Sequence, residues 1–233
     1  MSAEEHVRRL WRGRGTTLPT PRRGPRQQLG LDEILAAGIE IADASGLAAV
    51  STRAVAARFD KTAMALYPYV GAKENLIALM QDHAVAMPAW DDPGTGLGDD
   101  LLAWATALFD VHLAHPWLTD LSWAQSGQGP NEQDWLERLL GILGDRPEPA
   151  IVTMLYATVR ATAATAAAYR RMGTDDAEGW LERARATARL IPDLRDRYPL
   201  STSLPPLDPD WRETPRAGLV RAVRILAAAA ATR

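Results

Sequence analysis

The 233-residue chain has no cysteine. That excludes a disulfide scaffold and a thiolate metal centre, and it is compatible with a reducing compartment. Phenylalanine occurs only twice, and runs of β-branched residues are nearly absent, so little of the chain suits pleated strands. No stretch reaches the roughly 18 uncharged apolar residues of a membrane span, and the longest candidate, Ala161–Ala168, falls far short. The charges near the N-terminus are followed by no apolar signal core, so neither secretion nor a membrane is expected, and the location reads as cytoplasmic.

Alanine, the best helix former, dominates the apolar residues, and eight tryptophans accompany it. Hydrophobic residues reach 47%, enough for a sizeable core, so the expected class is all-α. The length permits one large domain, or a small one followed by a medium one.

A net charge of −3 does not suggest a nucleic-acid partner, but its distribution does. Residues 1–29 carry seven Arg against two Glu, whereas both later parts of the chain are net acidic. A basic arm on an acidic body requires a functional reading. Pro19, Pro21 and Pro25 forbid a continuous helix there. Residues 1–29 are therefore expected to form a mostly disordered basic arm, in which Met1–Trp11 could form a short helix with little to hold it, and Arg22, Arg23 and Arg26 are placed to meet DNA phosphates or a minor groove.

From residue 30 the pattern becomes helical. Gly30 is a plausible N-cap, Leu29 and Ile34 occupy the two staple positions, and Ile34, Leu35, Gly38, Ile41 and Ala42 make one stripe. The spacing predicts a helix over 31–44, ended by Gly46. Ser51 caps a second helix over 52–59, Asp60-Lys61 make a turn, and Thr62 opens a short helix over 63–69. A fourth helix is expected over 72–87. Further helices are expected over 101–115, 117–124, 131–143, 150–172 and 175–191, then from 211 or 214 to 231. A Pro-rich loop is expected over 192–210.

Two short helices joined by a tight turn and braced by a third form the helix-turn-helix arrangement. The second helix must stand proud enough to enter a major groove. Ala65 and Leu66 are expected inward, with Thr62, Ala63, Met64 and Tyr67 outward. From Lys61 through Lys73 there is no acidic residue, as a phosphate-facing surface requires.

The block ILAAGIEIADASGL (34–47), STRAVAARF (51–59), AMALY (63–67), Tyr69-Val70 and KENL (73–76) resembles the DNA-binding domain of TetR-family regulators, ungapped across residues 30–77. Beyond residue 80 only the layout is similar, to the tetracycline-repressor-like C-terminal domain. The resemblance implies phosphate contacts for Thr62, Tyr67 and Lys73, a place near the DNA backbone for Arg53, and base-edge contacts for Ala63, Met64 and Pro68. Tyr69 stands where the family usually has His or another aromatic. Three positions depart from the pattern. Asp60 replaces the turn Gly, although Asp tolerates a left-handed backbone. Lys61 replaces an inward apolar residue and is expected to snorkel outward, adding a DNA contact. Pro68 removes a backbone hydrogen bond inside the recognition helix.

The remainder, 78–233, reads as a helical ligand-binding and dimerisation domain. Trp104, Leu108, His112, Trp123, Tyr156 and Arg160 are its candidate effector residues, since aromatic helical interiors suit planar apolar ligands. Arg160, four residues after Tyr156, suits an anionic or carbonyl group. His112 and His115 lie three apart without a convincing third ligand, so no metal or other cofactor is expected. Ala161, Ala164 and Ala168 permit close helix packing. With Leu219, Val220, Val223, Leu226 and Ala227–Ala231 they are expected to build a homodimer interface, the use this family makes of its last two long helices. The expected function is a sequence-specific transcription regulator, read as a repressor released from a near-palindromic operator by a small hydrophobic or aromatic ligand. The alternatives are an all-α small-molecule enzyme, for which no nucleophile–base pair, metal motif or phosphate loop appears, and a non-specific DNA-binding dimer.

Overall fold

The computed structural model describes residues 2–16, 29–89, 94–121, 128–144, 148–204 and 210–231, and these form α-helices and short 3₁₀ turns. The helices are α1 (Ala3–Leu10), α2 (Leu31–Ser45), α3 (Thr52–Ala57), α4 (Ala63–Val70), α5 (Lys73–Ala84), α6 (Leu97–Ala114), α7 (Pro130–Leu143), α8 (Pro149–Arg171), α9 (Thr174–Leu190), α10 (Leu194–Arg197), α11 (Pro199–Thr202) and α12 (Thr214–Ala231). Arg22, Arg23, Arg26 and Trp123 lie outside the described residues.

Helices α2 to α4 form where the sequence signals place them. Glu33 reaches back to the Gly30 N–H at 2.9 Å, and the Ser51 hydroxyl accepts from Ala54 N–H at 3.0 Å. Ile34, Leu35, Val55, Ala56, Leu66 and Val70 are fully buried and pin α2, α3 and α4 into one core. Gly71, with φ +66°, turns the chain out of α4, and α5 follows at once. Leu76, Leu79 and Met80 pack α5 back on α2.

In the larger part, α6, α8 and α12 pack on one another. Trp104 lies at the centre, edge-on to Tyr156 (5.1 Å between centroids) and Trp135 (6.1 Å). Its indole N–H donates to Trp135 O at 3.0 Å, which lets a large polar-tipped ring be fully buried. By length and composition α8 is apolar enough to cross a membrane. Here its inner side is spent on α6 and α12.

Three expectations are corrected. Residues 2–16 are not a disordered arm: Ser2 and Glu5 cap α1 reciprocally, and Leu10 is buried beside α5. The expected loop over 192–210 contains α10 and α11. On α12, Leu219, Val223, Leu226 and Ala227 face the protomer's own core rather than a partner, and Ala217, Gly218, Arg221 and Ile225 face outward. As the expected helix over 72–87 implies, α5 runs through residues 77 and 78, so both parts of the chain share it.

Candidate DNA reader and effector cavity

α3 and α4 are linked by a turn in which Asp60 takes φ +53° and Lys61 N–H bonds Ala56 O at 3.0 Å. The tolerance of Asp for this conformation is what lets the turn do without glycine. Leu66 and Val70 hold the inner side of α4. Met64 and Tyr67 are 76% and 55% exposed on its outer side, where they are free to meet a partner. Lys61, Thr62, Arg53 and Lys73 are also exposed, and Ala63 is half-buried. The Thr62 side chain makes no capping bond, so its hydroxyl and the first N–H groups of α4 remain available to an oxygen anion. Tyr69 differs from the outward group in being half-buried against the core. Pro68 does not break α4, which continues to Val70.

The N-terminal segment adds residues that the sequence reading missed. Arg9 donates to Pro68 O, at the C-terminal end of α4, at 2.7 Å. Arg12 pairs with Asp32 on α2, Arg14 with Asp134 on α7 at 2.6 Å, and the Trp11 indole donates to Gln128 O at 3.2 Å. One segment thus ties the recognition helix to α7.

Two carboxylates join the smaller and larger parts. Asp43, on α2, accepts from Trp117 Nε1 at 2.8 Å and from His115 Nδ1 at 2.9 Å. Asp82, on α5, is 4% exposed. It caps the start of α7, accepting from the backbone N–H of Asn131 (2.9 Å) and Glu132 (3.2 Å) and from Asn131 Nδ2 (3.3 Å). A Cβ at Gly129 would lie 2.1 Å from its Oδ1, so this approach requires glycine. Burial pushes the Asp82 carboxyl up to about 6, against hydrogen bonds that favour ionisation. The next residue, His83, is only half-buried, so Asp82 is the enclosed group of the pair.

Further along α5, Gln81 Nε2 donates to Glu132 at 2.6 Å, and the Trp135 indole donates to Val85 O at 2.7 Å. Gln81 and Val85 then form one wall of a cavity of about 40 Å³, with Leu108, His112, Trp135 and Tyr156 opposite. Arg160 and Tyr156 also line a second, larger cavity of about 530 Å³ on the outer side of α8, with Thr119, Val152, Ala157 and Ala161. The structure therefore brings Leu108, His112, Tyr156 and Arg160 together. Trp104 instead lies behind Tyr156 as core. His112 is 7% exposed and donates from Nδ1 to Leu108 O at 2.9 Å; burial pushes its pKa down to about 4, so it is neutral at pH 7. No group of three metal-ligating side chains occurs among the described residues.

No family model matches the chain. It is similar to the HTH-type transcriptional repressor DrrR1 of Streptomyces coeruleorubidus, 32% identical over 198 residues that cover 79% of this chain and 72% of that protein. Among solved structures it is similar to the TetR family protein ActR of Streptomyces coelicolor. The complex of ActR with (S)-DNPA shows 26% identity and a TM-score of 0.62, over 86% of this chain and 98% of ActR. Its complex with actinorhodin shows 23% identity and a TM-score of 0.69, over 87% and 97%.

Proposed function

Because this chain belongs to the TetR family of helix-turn-helix transcriptional regulators, we propose that it acts in the cytoplasm as a homodimeric repressor that leaves its operator when a small apolar ligand enters the larger domain. In this reading Thr62, Tyr67, Lys73 and Arg53 hold phosphates, Lys61, Ala63 and Met64 face the base edges, and Tyr69 supports α4 from behind. Arg22, Arg23 and Arg26 extend the contact along the DNA. Ala63 and Met64 supply mainly apolar contact, so DNA shape carries much of the specificity.

The observation that carries the reading is the position of α5. Its first turn follows the recognition helix after Gly71 and Ala72, and its last turn supplies Gln81 and Val85 to the cavity wall. A ligand wedged between Gln81 and His112 presses on the Gln81–Glu132 link and displaces the helix that carries α4. Release follows only if the ligand favours the displaced state over the DNA-bound one. ActR was crystallised with small molecules, and the position of the cavities here supports extending that behaviour to this chain.

The dimer is read from the outer faces of α8 and α12. Ala157, Ala161 and Ala168 on α8 and Gly218 and Ile225 on α12 leave a shallow, small-residue surface, with Ile225 63% exposed. Two-fold pairing there would present the two α4 helices to half-sites about 34–36 Å apart.

The test is selection of bound genomic fragments by the purified protein, followed by titration of the selected duplex with candidate apolar ligands. Preferred binding of a near-palindromic sequence, weakened by a ligand that occupies the cavity, is expected. Equal affinity for random duplex contradicts the repressor reading. Unchanged affinity with the cavity filled contradicts release.

A further inference from the structure

We propose that the helices between α8 and α12 form a clasp for a second copy of this chain, in which the apolar strip of α9 packs on the outer face of the partner's α8 around Met154 of the partner subunit. This rests on the dimer read above from the outer faces of α8 and α12, and it adds to that dimer the segment that joins the two helices.

α9 is a 17-residue helix, and none of its described side chains is fully buried. Among the described residues it makes at most marginal contact with any other helix. A helix draws most of its stability from packing an apolar face. α9 has such a face unspent: Trp180, Leu181, Ala184 and Ala188 recur at helical spacing. Trp180 and Leu181 are 46% and 45% exposed, and Leu190, Tyr198, Leu200 and Leu204 are more exposed still. The segment leaves and returns at one place. α9 opens after Gly173, directly beyond α8. On the return, Trp211 meets Tyr169 edge-on at 4.6 Å between centroids, and Arg212 donates to Met172 O at 3.4 Å. The clasp is therefore rooted at the C-terminal end of α8 and the start of α12, the two helices of the proposed interface.

The distribution of apolar area argues for a second copy. Apart from Val7, Met64 and Tyr67, the large apolar side chains exposed among the described residues are Met154 on α8, Ile225 on α12 and six on the clasp. At on the order of 100 Å² each, those six amount to roughly 600 Å², at the upper limit of what a monomer leaves to water and close to the roughly 800 Å² that one side of a specific interface buries. The faces of α8 and α12 are the converse, with Ala157, Ala161, Thr165, Ala168 and Gly218 exposed, so each copy offers large side chains in one place and a surface of small ones in another. In an isologous pair such a contact is made twice. A two-fold axis crossing the middle of α8 sets the C-terminal end of one α8, with its clasp, beside the N-terminal half of the other. Met154 lies there, 52% exposed, and a flexible thioether suits the indole of Trp180. α9 carries Glu178 and Glu182 beside Arg183, Arg185 and Arg189, a mixed charge that suits a protein surface better than an anionic membrane.

The experiment is sedimentation of the full-length protein, with a cooperative thermal transition as the control for folding. Leu181→Glu and Met154→Lys should each raise the dimer dissociation constant roughly 100-fold or more, because every dimer carries the change twice. Both side chains are about half exposed in the protomer, so folding should survive; Trp180→Glu stands in if Leu181→Glu does not fold. The decisive sample is an equimolar mixture of the two variants. A pair made of one of each keeps one native contact and sets Lys against Glu at the other, so dimers should return to within about tenfold of the wild-type dissociation constant. A mixture no more dimeric than its components, or a folded Leu181→Glu or Met154→Lys that pairs like wild type, overturns the clasp and leaves the α8–α12 dimer standing. A wild type that stays monomeric overturns both, and its co-sedimentation with phosphatidylglycerol vesicles would assign the strip to a membrane instead.

Discussion

Replacing Asp82 with asparagine removes a buried charge from the joint between α5 and α7 while leaving an acceptor for the two backbone N–H groups that open α7. The carboxyl is held at about 6 in the folded chain, against an ordinary 3.8. Between those values the folded protein binds the proton and the unfolded chain does not. The linked stabilisation is therefore fully present below about pH 4 and is lost as pH rises through about 6. Its size is about 3 kcal/mol. Glu132 on α7 raises the value further and Arg12 opposes it, so the site is poised by elements from three parts of the chain. The assay is urea unfolding of wild type and Asp82→Asn, followed by tryptophan fluorescence from pH 4 to 7.5. The wild type should gain about 3 kcal/mol on the variant as the pH falls across that window. A difference that stays flat with pH would refute the assignment of a strained buried carboxylate to this joint.

Other outcomes follow from the same geometry. Asp43→Ala strips the buried Trp117 indole of its acceptor and should cost about 1–3 kcal/mol in denaturant unfolding. An unchanged midpoint contradicts the role given to that bond. Ile225→Arg places a charge on the outer face of α12 and should yield a folded monomer in sedimentation, with operator affinity falling toward the non-specific level, roughly 10³-fold weaker. A stable dimer would move the interface elsewhere. Arg9→Ala frees the end of α4 from α1. It should weaken operator binding by roughly tenfold or less in an anisotropy titration, while thermal stability shifts by under about 1 kcal/mol.

The local parts of this structure were legible in the sequence. Gly30, Ser51 and Thr62 sit at the predicted helix starts, and Asp60 takes the left-handed turn that its chemistry allows. Lys61 points out, as a lysine replacing an apolar residue should. What was missed depends on partners far along the chain. Arg9 meets residue 68, and Trp11 and Arg14 meet the segment around α7, so composition alone read a loose arm where there is a docked helix. Nothing in the sequence around Asp82 marks it, because its partners come from the N-terminus of α7, some fifty residues on. On α12 nearly every position is apolar or small, so periodicity could not say which face meets α6 and α8 and which meets solvent.

The central claim is that the carboxylate-free surface from Lys61 to Lys73 meets DNA phosphates twice, once from each subunit. The most direct measurement is the salt dependence of binding to the selected operator for wild type and Lys73→Ala. Each lysine lost removes one phosphate contact per subunit. The slope of log affinity against log salt should therefore shrink by about 2 for the dimer, with sequence preference retained. A slope identical to wild type would contradict the account.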